Sequence, residues 1–222
     1  MKYLLPFVAL FLLAACDETK KDEPLPPHAK MVQLQLADSL GIITMAVPER
    51  YDTSFSWIHY TDCGDPCADR KYRFQPKGLR IFQESGFYTK ISLTDTIDKF
   101  TIKHPLVIRH YRETDTSINA HISYLREQKI VIKKMGISDK LVFDTIQKIN
   151  DRYYTITVLN YSDSQQRKEV SAFTIISEAP VEFKYELLSA KKDSITDNFI
   201  PEALSLIKTI RIHGERTKKP SR

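Results

Sequence analysis

At 222 residues, the chain has room for one compact domain, or two small ones sharing a core, of about 190 residues once its terminal segments are set aside. Its six glycines (Gly41, Gly64, Gly78, Gly86, Gly136, Gly214) are too far apart for a dinucleotide fingerprint or a P-loop, which excludes those modes of nucleotide binding. The net charge of +5 draws much of its excess from Arg216, Lys218, Lys219 and Arg222, so it describes a basic tail rather than a nucleic-acid surface.

In chain order, Lys2 is followed by an apolar run from Leu4 to Leu13 and then by Ala14 and Ala15. A charged start, a short apolar core and small residues before a cut predict a secretory signal over residues 1–15. As a helix the run spans only about 15 Å, against roughly 30 Å of hydrocarbon, too short for a stable transmembrane anchor. Leu13-Ala14-Ala15-Cys16 resembles the lipobox of bacterial lipoproteins. That resemblance implies cleavage before Cys16, a diacylglycerol on its thiol and an acylated mature N-terminus. Two or three acyl chains hold a protein on a membrane where one chain holds it only reversibly.

Residues 16–30 are rich in charge and hold Pro24, Pro26 and Pro27, so they read as a semi-extended tether behind the lipidated cysteine. Asp17, Glu18, Asp22 and Glu23 are similar to signals that sort lipoproteins to an outer membrane or to the cell surface. A solubilising linker is the alternative reading of the same residues. Residues 31–212 form the folded part, and 213–222 a basic, frayed tail, with contact to anionic headgroups as its second reading.

Within the folded part, short strands are expected at Leu40 to Val47, Tyr72 to Phe74, Leu79 to Phe82, Phe87 to Leu93 and Leu106 to Tyr111, punctuated by Pro48, Pro76, Gly78 and Gly86. Thr116 to Lys134 reads as a helix with Ile118, Ile122 and Leu125 on one face, although Ile130-Val131-Ile132 also suits a strand. Next, Tyr154, Ile156 and Val158 alternate with polar partners, Phe173 and Ile175 follow a polar turn at Ser162 to Arg167, and Val181, Phe183, Tyr185 and Leu187 alternate with Glu182, Lys184 and Glu186. Three such strands make an antiparallel meander with one buried face. A cap-rich stretch, Asp193 to Asn198, then opens a helix with Pro201 in its first turn and Ile200, Leu204, Ile207 and Ile210 at helical spacing.

The fold class expected is therefore α+β: an antiparallel sheet packed by helices, closing with a three-stranded meander and a C-terminal helix. The pattern over residues 140–212, ending in Ile210-Arg211-Ile212, is similar to the closing part of PsbP-like domains, and that resemblance implies a scaffolding or assembly role.

Specific chemistry is confined to one loop. Cys63 and Cys67 enclose Gly64-Asp65-Pro66, turn-forming residues that allow two α-carbons to approach, and an exported compartment oxidises such a pair to a disulfide. Tyr60 to Cys67 also resembles the C-x3-C loop of Sco-type copper chaperones, which implies two thiolates for copper(I). It departs from that family in having Ala68 after the second cysteine and in lacking a thioredoxin-like pattern. His59 extends the spacing to H-x3-C-x3-C, but Gly64 and Pro66 oppose a helical metal site, so Cys63, Cys67 and His59 remain metal candidates only. Asp62, Asp65 and Asp69 lack the ligand order of a calcium loop.

No G-x-S-x-G or H-E-x-x-H occurs, and His104, His110 and His121 read as surface or satisfied core histidines despite Asp98, Glu113 and Asp115 nearby. Trp57, Tyr60, Tyr72, Phe74 and Phe82 suit either a core or a binding groove. The expectation is a lipid-anchored envelope protein acting as a non-catalytic binding or accessory module, with no cofactor. Its partners would be the membrane and an envelope protein, not nucleic acid or nucleotide. The alternative is a thiol-redox or copper-handling protein using Cys63 and Cys67.

Overall fold

The computed structural model describes residues 24–62, 67–79, 96–106, 115–162 and 166–214. Strands β1 (Ala29–Gln35), β2 (Ile42–Pro48), β3 (Thr53–His59), β4 (Asp69–Gln75) and β5 (Ile97–Pro105) precede helix α1 (Ile118–Lys134). A 3-10 turn at Ser138–Lys140 leads to β6 (Leu141–Ile149), β7 (Arg152–Ser162), β8 (Gln166–Ile176) and β9 (Ala179–Ser189). Helix α2 (Ser194–Ile207) and the short β10 (Arg211–His213) close the described chain.

Seven strands form one sheet in the order β3-β4-β5-β9-β8-β7-β6, every pairing antiparallel, and β1-β2-β10 form a second, small sheet. The chain is thus α+β, as expected from its patterning. The closing meander has four strands rather than three, because β6 adds an edge outside the three the alternation reveals. Its turns are tight: Asn150 and Asp151 (φ 46° and 69°) and Ser177 and Glu178 (φ 46° and 70°) take the paired left-handed conformations of type I′ hairpins.

Alternation along each strand gives the large sheet two unlike faces. The inner face carries Phe100, Ile102, Tyr154, Ile156, Val158, Val170, Ala172, Val181, Phe183 and Tyr185, all buried, and packs under α2 and the small sheet. An aromatic row crosses it: Phe100 stacks 4.3 Å from Tyr185, 5.9 Å from Phe74 and 6.5 Å from Phe183. The outer face is charged and is roofed by α1 over β6 and β7.

Helix α2 starts at a full capping box, in which the Asp193 side chain accepts from Thr196 N and the Thr196 hydroxyl accepts from Asp193 N. Its buried stripe is Phe199, Ala203, Leu206 and Ile207, with Ile200 and Leu204 packed at the flank, so the helix is rotated slightly from the expected face. Pro201 sits mid-helix rather than in the first turn. It is exposed, as is Asp197, whose carbonyl gets no i→i+4 donor because proline has no N–H.

Other expectations shift as well. β1 begins at Ala29, inside the stretch read as tether, and β3 and β6 were not expected. The strand expected at Leu106 to Tyr111 is preceded by β5, which ends at Pro105; residues 107–111 lie outside the described residues, as do 80–82 and 87–93. Gln166 and Arg167, expected in a turn, already belong to β8. The Ile130-Val131-Ile132 run is helical, and α1 buries His121 and Ile132 while Ile118 and Ile122 are exposed.

Candidate functional site

Helix α1 lies across the outer face of the sheet and creates the site. Ser117 caps it, accepting from Asn119 N at 3.2 Å, and its inward side sets Tyr124, Gln128 and Ile132 over β7 and β8. Tyr124 stacks on Phe173 of β8 at 3.7 Å, and His121 meets the same ring edge-on at 5.7 Å. The meander pattern in sequence predicts Phe173 on the core face; it points outward because Val170 and Ala172 take the inner positions of β8, and it becomes the pivot on which the helix rests.

Beside that pivot opens a groove of about 270 Å3. One wall is apolar, formed by Val131, Ile132, Met135 and Ile137, with Met135 64% exposed at the mouth. The floor is polar and ion-paired, made from outward positions of β7, β8 and β9. The register sets Glu169 opposite Glu186, and Lys184 lies between them, 3.0 Å from Glu169 and 3.3 Å from Glu186. Arg167 reaches Glu169 at 2.7 Å and stacks over the Tyr161 ring at 4.4 Å. The ladder continues onto β5 through Lys99–Glu186 at 3.2 Å and Lys103–Glu182 at 2.7 Å.

These charges are held in place. Burial alone would lower the Lys184 ammonium, but Glu186 and Glu169 outweigh it and push its pKa above the usual lysine value. Arg167 is likewise raised, burial being overcome by Glu169. Tyr124 is raised by burial and by Glu182, and Tyr161 by burial and by Glu169, so both phenols are neutral at pH 7. Chemically the groove is a seat with a fixed pattern of charge beside an apolar wall, suited to holding an amphipathic ligand by complementarity.

The residues singled out from sequence are dispersed. Cys16, Cys63, Asp65, Phe82, His110 and Glu113 lie outside the described residues. The β3–β4 hairpin brings His59 opposite Asp69, two residues beyond Cys67, so strand pairing rather than a helix is what gathers this end of the loop. His59 Nδ1 is buried with no hydrogen-bond partner among the described residues. Among the described residues no three His, Cys, Asp or Glu side chains come together as a metal-binding group. The four described aromatics do not share one groove: Tyr72 and Phe74 are core, Tyr60 is exposed, and Trp57 lies on the outer face under the Arg73 guanidinium at 4.6 Å.

A second cavity, of about 1030 Å3, lies where residues 24–27 meet the domain between the β6–β7 hairpin and the end of α2, with Lys148, Lys208, Arg211 and His213 in its lining. No helix among the described residues is long and apolar enough to cross a membrane. No protein-family model, curated protein or solved structure matches this chain. The groove residues Arg167, Glu169 and Lys184 were not singled out as a site from sequence. Glu182, Lys184 and Glu186 are visible there as a polar strand face, but only the strand register brings Glu169 to them.

His104 and His121 are satisfied core histidines. The neutral His104 ring donates from Nδ1 to Pro105 O at 2.9 Å and leaves Nε2 3.4 Å from the Tyr72 hydroxyl, which itself accepts from Ala37 N. His121 Nδ1 lies 2.9 Å from Thr155 Oγ1. Burial, the largest influence on each, pulls both pKa values below the ordinary 6.5. Because folding favours the neutral rings, their stabilisation is complete above pH 6.5 and is lost as pH falls below it. Thermal unfolding at pH 7.5 should therefore occur at a higher temperature than at pH 5.5, and His121→Gln should reduce that difference. Equal melting temperatures at the two pH values would contradict the assignment.

Proposed function

We propose that the chain is a lipid-anchored accessory protein of a bacterial cell envelope, on the outer membrane, acting as a non-catalytic binding module. The lipobox-like Leu13-Ala14-Ala15-Cys16 and the acidic tether behind it support the address. One observation carries the binding role: the groove between α1 and the outer sheet face, where an apolar wall faces an ion-paired floor. A PsbP-like architecture is part of the same reading. The layering of α1, the large sheet, and α2 with the small sheet supports it, as does the closing order of meander, helix and short strand.

Cys16→Ser tests the address. Wild-type protein should incorporate labelled palmitate and partition into detergent, whereas the variant should do neither; label retained on the variant would refute lipid attachment at Cys16.

The pair Cys63 and Cys67 is proposed as a small structural bridge, and the turn-forming Gly64-Asp65-Pro66 between them, with the exported address, supports it. The competing copper or thiol-redox reading draws support from His59 Nδ1 at the base of the same hairpin, which has no hydrogen-bond partner among the described residues. Replacing both cysteines with serine separates the two. A structural bridge over so short a loop contributes about 2 kcal/mol or less. Stoichiometric copper(I) on the wild-type protein, absent from the double variant, would instead establish the chaperone reading.

A further inference from the structure

We propose that the free edge of β6, beneath α1, docks an extended acidic segment of a partner protein as an eighth strand of the large sheet. This rests on the reading of the chain as a binding module and assigns it a second surface, distinct from the groove over β7 to β9. β6 is the last strand of the sheet, and among the described residues nothing pairs with its outer side. Val142 and Phe143 on it are 55% and 45% exposed, and Gln147 and Lys148 are exposed too. Every second residue of an edge strand directs its N–H and C=O outward, a ready template for another strand.

Natural edges are blunted by bulges and lysines, and β6 has both, but only at its ends. The register shifts between Leu141 and Phe143, and Lys148 lies near the other end. Between them Asp144 to Gln147 run in unbroken register with β7, leaving a regular central stretch. Above it α1 and β6 form an open trough of about 440 Å3, in which Ile122, Leu125 and Ile130 face Ile146. A strand added here would direct alternate side chains into that trough, since successive residues point to opposite faces.

Charge selects the occupant. Arg126, Lys129 and Lys133 line the trough at helical spacing. Lys129 is paired with Asp144 at 2.5 Å, while Arg126 and Lys133 make no ion pair among the described residues. Two unpaired cations beside an apolar trough suit a strand that alternates apolar and acidic residues. The same cations oppose a second copy of this chain on the edge, because β6-to-β6 pairing would bring the two basic helices together.

The test uses the full chain carrying Cys16→Ser, kept in solution, and a fluorescein-labelled octapeptide of alternating Glu and Val, with a Lys-Val octapeptide as control. Fluorescence anisotropy should show binding of the acidic peptide and at least tenfold weaker binding of the basic one. Arg126→Glu with Lys133→Glu, both exposed positions, should weaken the acidic peptide tenfold or more at an unchanged melting temperature. Hydrogen exchange should show new protection at alternate amides within residues 144–147. Absence of acidic-peptide binding, equal binding of both peptides, or protection confined to β7 to β9 would overturn the proposal. So would a concentration-dependent dimer that protects β6 by itself. Protection at β7 to β9 alone would leave the groove reading standing, and the palmitate experiment reports on the anchor whatever the peptides do.

Discussion

Phe100→Ala is expected to destabilise the domain by about 3–5 kcal/mol, the range for truncating a buried aromatic. Phe100 is fully buried on β5, the strand that joins β3-β4 to the closing meander, and its ring contacts those of Phe74, Tyr185 and Phe183 on β4 and β9. Truncation would leave a cavity at the junction of the two halves of the sheet, and the flanking rings are themselves held by α2 and the small sheet, so collapse would be incomplete. Denaturant unfolding with an unchanged slope would measure the loss. A change under about 1 kcal/mol would show that the ring row is not the core of the fold. Phe100→Leu, which keeps much of the apolar volume, should recover a large part of the loss.

The second large effect is expected at Arg50, just beyond β2. Its Nε donates to Asp98 Oδ2 at 2.7 Å, and its two terminal nitrogens donate to Glu202 Oε1 and Oε2 at 2.8 Å each. Asp98 also accepts from the Tyr51 hydroxyl at 2.6 Å, so one guanidinium joins the β2–β3 connection, β5 and α2. Burial disfavours the Arg50 charge, but the hydrogen bonds to Glu202 and Asp98 overcome it. Arg50→Ala would strip Asp98 and Glu202 of their cation, one of them nearly buried, and should cost about 2–4 kcal/mol. That is below the value for a fully buried pair because the Arg50 side chain is a quarter exposed. Arg50→Lys should recover less than half, since a single ammonium cannot bridge two carboxylates bidentately. A double-mutant cycle with Glu202→Ala should give a coupling of at least about 1 kcal/mol, and additive losses would remove Arg50 from this role.

Strands with one apolar face were legible in the sequence because period-two alternation survives wherever one side meets a core and the other meets water. Tyr154 to Val158 and Val181 to Leu187 are of this kind, and their inward residues are buried. Strand β5 was missed for the opposite reason. Asp98, Lys99 and His104 are charged or polar yet buried, and they are accommodated by Arg50 and Tyr51, by Glu186 and by Pro105 O, partners distant along the chain or available only once the strand is formed. β6 was missed because an edge strand under a helix has no clean alternation; Ile149 is its only buried residue.

The sequence by itself determined the α+β class, the existence of both helices and the strand character of the meander, because hydrophobic period, caps and turn residues act over a few neighbouring positions. It also carries the lipobox-like cysteine, a local motif that needs no fold to be recognised. Only the tertiary structure decided which side of α1 is buried, since that face is chosen by Phe173, nearly fifty residues away. It alone decided the candidate site: the ladder of Arg167, Glu169, Lys184 and Glu186 exists because strand register sets like and unlike charges side by side. Register is a property of paired strands, determined by the burial of their inner faces and the geometry of their turns.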